Sequence, residues 1–189
     1  MPLDYFSLIA GLYNKLAKFN TSAAFLDFLS LSRDYIVLDA GGGTGRVTEA
    51  IRGQVRGAVV ADISQGMLRY AVRKGLSTAC TPLEDLPFSS NTFDRVIMMD
   101  ALHHVFDQDK AINELWRVLV PGGYLIIIEP DIHKYSVKLI AITEKMLLMR
   151  SHFLDDNKIT SLFANHFIKI KVIHDESNVW IRAEKVREL

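Results

Sequence analysis

Two acids and a run of glycines are the residues of this 189-residue chain best placed to do chemistry. An apolar run, Tyr35 to Leu38, ends in Asp39. Four glycines then fall within five residues (Gly41, Gly42, Gly43 and Gly45), and the chain turns helical in pattern. This is how a buried strand, a tight turn whose backbone can lie against a ligand, and a helix start are written. Asp62 closes the next apolar run, Ala58 to Ala61, 23 positions past Asp39. That is near the ~20-residue spacing of a ribose-binding carboxylate in a strand–helix–strand unit. The arrangement predicts a nucleoside-type cofactor held at the edge of a parallel sheet.

Two ligand classes use such loops. A dinucleotide site needs G-x-G-x-x-G/A, whose third small residue lets helix pack on strand while a pyrophosphate sits on the helix N-terminus. Started at Gly41, that pattern puts Arg46 in the third place, neither small nor neutral. The spacing Asp39-x-Gly41-x-Gly43-x-Gly45 fits throughout. It resembles motif I of the class I S-adenosylmethionine-dependent methyltransferases. A carboxylate at the loop's entry suits a ligand with an ammonium and a sulfonium, and repels a pyrophosphate. The physical preference is for S-adenosylmethionine over NAD.

The resemblance runs on in order through Val59–Ser64 (second-strand motif), Leu83–Phe88 (adenine-side loop) and Asn91–Ile97 (entry to the fourth strand). Ala101–Val105 and Glu114–Leu125 continue it. Over roughly residues 35–130 the chain is similar to the branch that includes the ubiquinone and menaquinone biosynthesis methyltransferases. The resemblance implies a Rossmann-like, seven-stranded, mostly parallel sheet with helices on both faces and an antiparallel C-terminal hairpin. It also implies methyl transfer from S-adenosylmethionine to a small organic acceptor.

Carried over residue by residue, the amides of Gly41 to Gly45, with Ala40 before them, line the cofactor's amino-acid end. Asp39 either anchors the ammonium or caps the loop's own backbone. Asp62 either accepts from both ribose hydroxyls or caps the helix beginning near Ser64. Ile63 and Met67 are expected to sandwich the adenine, Met67 having ordinary core packing as its alternative. Leu83 and Glu84 are expected on the adenine side. Pro82 stands where the family often has an Asp that accepts from the adenine amino group, and Asp85 is the natural substitute.

Asp100, His103 and His104 follow the fourth strand, at the rim where open α/β sheets bind ligands. His103 matches the family's recurrent histidine. It either takes the acceptor's proton as a general base, since imidazole titrates near neutrality, or orders the loop. Asp100 is the second candidate catalytic residue. Ala101-Leu102 after it departs from the motif of amino-methylating nucleic-acid enzymes. Adjacent histidines diverge, so no metal site is expected.

Composition narrows the rest. One domain of 1–189 is expected, with 1–33 an N-terminal helical lid carrying Tyr5 and Tyr13. Acidic and basic residues balance at 22 each, which leaves no electrostatic footprint for nucleic acid or an anionic membrane. A single cysteine, Cys80, excludes an internal disulfide, a multi-thiolate metal site and thiol-dependent arsenic methylation. The N-terminus reads as a poor signal peptide, and no apolar run approaches the ~20 residues of a membrane span. A cytoplasmic protein with a small-molecule substrate is expected.

Helical spacing covers residues 5–30; strands and helices then alternate as strand 35–40, helix 45–54, strand 58–62, helix 64–74 and strand 77–81. Strand 94–100, helix 108–119, a type II turn at Pro121-Gly122 and strand 124–130 follow. The runs 167–174 and 179–185 read as a hairpin. Such alternation implies a parallel sheet covered on both faces. Residues 132–150 form an apolar stripe that covers the sheet, walls an apolar substrate or makes a homodimer surface. Two other functions stay open: a non-catalytic S-adenosylmethionine-binding module that regulates a partner, and an NAD-dependent oxidoreductase. Arg46 and the missing Tyr-x-x-x-Lys pair weigh against the oxidoreductase.

Overall fold

The structure, a computed structural model, describes residues 10–11, 22–133, 152–164, 166 and 168–186. Most of residues 1–33 and nearly all of 132–150 lie outside these. So do Tyr5, Tyr13, most of the expected lid and the apolar stripe.

The alternation becomes a single seven-stranded sheet. Its strands are β1 (Ile36–Ala40), β2 (Gly57–Asp62), β3 (Ser77–Cys80), β4 (Phe93–Met99), β5 (Leu119–Pro130), β6 (Ile168–His174) and β7 (Asn178–Lys185). The order is β3-β2-β1-β4-β5-β7-β6. Strands β3 to β5 across β1 pair in parallel, while β7 pairs antiparallel with both β5 and β6. Among the described residues from 22 onward, the α-helices are α1 (Ala23–Leu29), α2 (Arg46–Ile51), α3 (Gln65–Arg73), α4 (Gln108–Val118) and α5 (Asp156–Ser161).

Alternation of side chains along each strand sorts the core into two layers. Leu38, Ala40, Val96, Met98, Leu125 and Ile127 pack with Ala111, Ile112 and Leu115 of α4. Their neighbours Val37, Ile97, Ile126 and Ile128 face Phe25, Phe28 and Leu29 of α1 and Val47 and Ile51 of α2. Both faces of the central strands are therefore buried, which is why they read as continuous apolar runs.

Side-chain caps fix four helix starts: Ser22 accepts from Phe25 N (3.1 Å), Ser64 from Met67 N (3.3 Å), Asp107 from Lys110 N (2.9 Å) and Asp155 from Lys158 N (2.8 Å). The C-terminus of α1 is held from the sheet. Arg95 on β4, 3% exposed, donates to the carbonyls of Leu29 (3.1 Å) and Ser30 (2.9 Å). Its guanidinium lies over the rings of Tyr35 (4.4 Å) and Tyr124 (4.1 Å). Arg182 on β7 adds a bond to Phe28 O (3.2 Å). Two cations against one helix C-terminus complement its dipole.

Element boundaries differ from expectation by a residue or two, except at two places. Helix α2 stops at Ile51 rather than at 54. The Pro121-Gly122 bend lies inside β5 instead of before it: Phe93 pairs with Leu119, and Arg95 pairs with Tyr124, so residues 120–123 bulge out of the ladder. Gly122 takes the positive φ (+84°) that the bend requires. The outer strand β6 presents exposed Lys169 and Lys171 along the sheet's rim.

Candidate active site

The carboxyl ends of β1, β2, β4 and β5 surround one cleft of about 580 Å³. That is the size of a typical small-molecule site, at the place where an open α/β sheet binds ligands.

Its first wall is the glycine loop. Gly41 and Gly43 take φ of +70° and +55°, conformations that side chains resist. A Cβ at Gly41 would fall 2.5 Å from Ala101 Cβ, and one at Gly42 would fall 2.5 Å from Asp39 Cγ. The loop is glycine-built so that β4's rim and Asp39 can press against it. Its amides, however, are turned inward. Gly41 N donates to Ala61 O (2.7 Å), Gly42 N to Ala61 O (3.3 Å), Gly43 N to Asp62 Oδ2 (2.8 Å) and Gly45 N to Gly42 O (2.9 Å). The protein's own carbonyls and Asp62 use these four amides, while Gly41, Gly42 and Gly43 line the cleft.

The two acids bracket that loop differently. Asp39, 1% exposed, accepts through Oδ2 from Thr48 N (3.2 Å) and Thr48 Oγ1 (2.8 Å). Burial pushes its carboxyl up to about 6, with the charge of Asp62 adding to the rise and the Thr48 bonds opposing it. Asp62 is half-buried; besides Gly43 N, it accepts from Ser64 N through Oδ1 (2.7 Å). The cap of α3 is Ser64 itself.

Around Asp62 the cleft is apolar. Ile63, 70% exposed, Met67, 4% exposed, and Leu83 line it together with Thr81, Pro82 and Glu84. Arg117 fixes the 83–88 loop by donating to Leu86 O (3.1 Å) and Phe88 O (2.7 Å), while Glu114 accepts from Leu86 N (2.9 Å). The hydrogen bond from Arg117 holds Glu114 below the usual carboxylate range. Asp85, the substitute acceptor that the sequence offers, is exposed and outside the cleft lining. Thr81 Oγ1 donates to the backbone carbonyl of Asp85 (2.8 Å).

The opposite wall is the rim after β4. Asp100, at φ +52°, His103 and His104 line the cleft with Met99, Phe106 and Phe153. His103 is 4% exposed, and its ring stacks on Phe153 at 4.3 Å and 12°. Its Nδ1 contacts Glu129 Oε2. Burial, then the neighbouring His103, push the His104 imidazole down to about 3, so His104 is neutral at physiological pH. Glu129 closes the apolar run of β5 and is 3% exposed; sequence reasoning did not single it out. Its signal was a lone acid between Ile128 and Pro130.

Ten of the twelve residues expected at the site therefore line one cleft: Asp39, Gly41, Gly43, Asp62, Ile63, Met67, Leu83, Glu84, Asp100 and His103. Ala40 and Gly45 do not. Ala40 is fully buried in the core, and Gly45 makes room for Leu76, whose Cδ1 a Cβ there would meet at 2.5 Å. The fit to an adenosyl ligand rests on this wall. An acid flanked by apolar side chains lies beside bare glycine backbone, and the amides of Gly41, Gly42, Gly43 and Gly45 go to the protein's own oxygens. Among the described residues, no helix is long and apolar enough to cross a membrane.

Residues 38–127 match the family described as methyltransferase domain. The chain is 33% identical over 147 residues to a ubiquinone/menaquinone biosynthesis C-methyltransferase UbiE of Pasteurella multocida, covering 68% of this chain and 55% of that protein. The chain thus spans about half the length of the curated relatives it matches. A structure of the complex between the Haloferax volcanii Trm112 methyltransferase activator and a methyltransferase superposes with a TM-score of 0.82. It has 16% identity, and the match covers 99% of this chain and 100% of that one. Geranyl diphosphate C-methyltransferase of Streptomyces coelicolor, solved with Mg2+, geranyl diphosphate and S-adenosyl-L-homocysteine, gives 0.69 at 15% identity over 85% and 76%. At those identities the structural likeness is one of fold.

Proposed function

We propose that this chain, which carries a methyltransferase domain over residues 38–127, transfers a methyl group from S-adenosylmethionine to a small organic acceptor. One observation carries the reading. The glycine loop keeps its amides for Ala61 O, Gly42 O and Asp62 and offers two carboxylates across bare backbone. Such a wall attracts a cation and repels a pyrophosphate, which separates this reading from a nicotinamide enzyme.

The roles follow from the lining. Asp62 would accept from the ribose hydroxyls, Asp39 would face the ammonium, and Ile63, Met67 and Leu83 would enclose the adenine. Glu84 lies at that same end, and its Oε1 already accepts from Asp107 N (3.2 Å). Bound S-adenosylmethionine supplies an activated methyl carbon on its sulfonium, so the protein has little covalent chemistry to do. Holding acceptor and donor in line can supply ~7–11 kcal/mol of barrier reduction. His103 takes the acceptor's proton, and Asp100 is the acid next to it on the same rim. The wall of Met99, Val105, Phe106 and Phe153 favours an acceptor with an apolar body.

Calorimetric titration with S-adenosylmethionine, S-adenosylhomocysteine and NADH tests the cofactor. Heat from the first two and none from NADH supports the reading; the reverse overturns it. Transfer of labelled methyl to one member of a metabolite panel, stopped by Asp62→Ala, identifies the enzyme. Tight binding with no transfer over a broad panel favours the binding module.

A further inference from the structure

The polar contacts around His103 have a direction. Glu129, on β5, does not line the cleft, yet it is 3% exposed and surrounded by donors. Its Oε1 accepts from Ala101 N (2.9 Å) and Leu102 N (2.8 Å), the two amides that begin the rim turn Leu102–His104. Its Oε2 contacts His103 Nδ1. A buried carboxylate is tolerable only when its oxygens are satisfied, and here two backbone amides and one ring nitrogen do so. The ring cannot easily turn to offer its other edge. Phe153 stacks on one face, and His103 O is tied to His152 N (2.6 Å). Gln108 Nε2 bridges Leu102 O (2.9 Å) and His152 O (3.1 Å), closing the frame.

We infer that Glu129 is a positioning residue that sets the tautomer of His103. A carboxylate only accepts, so Nδ1 must carry the ring proton, which leaves Nε2 as the basic nitrogen. This rests on the methyl-transfer reading and says why His103 can serve it. The proton of the acceptor's X–H bond goes to Nε2. The X–C bond forms as the methyl C–S bond breaks, and that bonding pair stays on sulfur. The positive charge lost by the sulfonium reappears on the imidazole, next to the Glu129 carboxylate, which stabilises it there. The proton then passes to water.

The isosteric change Glu129→Gln isolates the idea. The amides of Ala101 and Leu102 are donors, so they hold the Gln oxygen. Its NH2 then faces His103 Nδ1, which must become an acceptor, and the ring proton moves to Nε2. Nitrogen NMR of the 15N-histidine-labelled protein at pH 7.5, with the His103 signals assigned through His103→Asn, reads this without any acceptor. Protonated Nδ1 in the wild type and protonated Nε2 in E129Q are expected. Protonated Nε2 in the wild type, or a doubly protonated ring, overturns the inference even if E129Q fails to fold.

Where an acceptor has been found, E129Q lowers kcat about 10²–10⁴-fold, the range for losing acid–base assistance. The affinity for S-adenosylmethionine is unchanged. In a His103→Asn background the same substitution costs no further activity, whereas a purely structural role would go on costing it. Failure of the methyl-transfer reading shows separately, as absent cofactor heat beside an intact Nδ1–H signal.

Discussion

Thr48 closes the carboxylate of Asp39 with two donors, its amide at 3.2 Å and its hydroxyl at 2.8 Å. That pairing ties the end of β1 to the first turn of the helix after the loop. It also leaves a nearly inaccessible acid whose pKa stands at about 6, against an ordinary value near 3.8.

The first prediction follows from that shift. Below about pH 4 Asp39 is protonated in both folded and unfolded chains. Between there and about 6 the folded state keeps a proton the unfolded state has lost. The stabilising contribution is therefore full at low pH and is lost as pH rises through 6. Asp39→Asn, which keeps an oxygen for Thr48, should gain on the order of 2–3 kcal/mol at pH 7 and nothing at pH 3.5. Denaturant midpoints at the two pH values check it. Ligand binding near pH 5.5 should also release a proton, visible as a binding heat that varies with buffer ionisation enthalpy.

Asp62→Ala removes the acceptor of Gly43 N and Ser64 N and the acid proposed for the ribose. A hydrogen bond to a charged group is worth ~1.5–3 kcal/mol, so affinity for S-adenosylhomocysteine should drop by one to two decades. Calorimetry on protein with a normal circular-dichroism spectrum measures it. Unchanged affinity removes Asp62 from the site.

Two glycines separate fold from binding. At Gly41 an alanine faces both a positive φ and Ala101 Cβ at 2.5 Å, so G41A should lose well over 1–2 kcal/mol of stability. At Gly43 the added Cβ meets only Asp62 Oδ2, at 3.8 Å. G43A should thus lose about 1–2 kcal/mol from strain yet stay folded, while its methyl takes up cleft space beside Asp62 and weakens the cofactor. A thermal melt with a titration of each variant distinguishes the two; equal effects would contradict the assignment.

Arg95→Lys is the control away from the cleft. Lysine cannot fork to Leu29 O and Ser30 O or lie flat on Tyr35 and Tyr124. A loss of about 1–3 kcal/mol in urea unfolding is expected, with cofactor affinity intact. A neutral substitution would mean the α1 carbonyls find other donors.

The glycine spacing, the two acids and the alternation of apolar runs made the sheet and one wall of the cleft readable in advance, because each is a local signal. The partners of the loop amides were not, since Ala61 O reaches them across the parallel β1–β2 pair. Glu129 and Arg95 looked like lone charges in apolar strands. Their meaning lies in contacts with residues 26–28 and 65–66 positions away. Phe153 meets His103 across 50 residues, and no periodicity announces that. The Pro121-Gly122 bend was seen but misplaced, because a bulge and a strand-opening turn use the same two residues.

The lysines of β6 have a use of their own. An outer strand offers unpaired backbone groups to any passing chain, and like charges set opposite one another disfavour such pairing. Two copies approaching rim to rim there would bring Lys169 and Lys171 of one against those of the other. The far rim, β3, is only four residues long. Neither margin templates endless sheet growth, so this protein should withstand crowding at high concentration without building fibrils from its folded form.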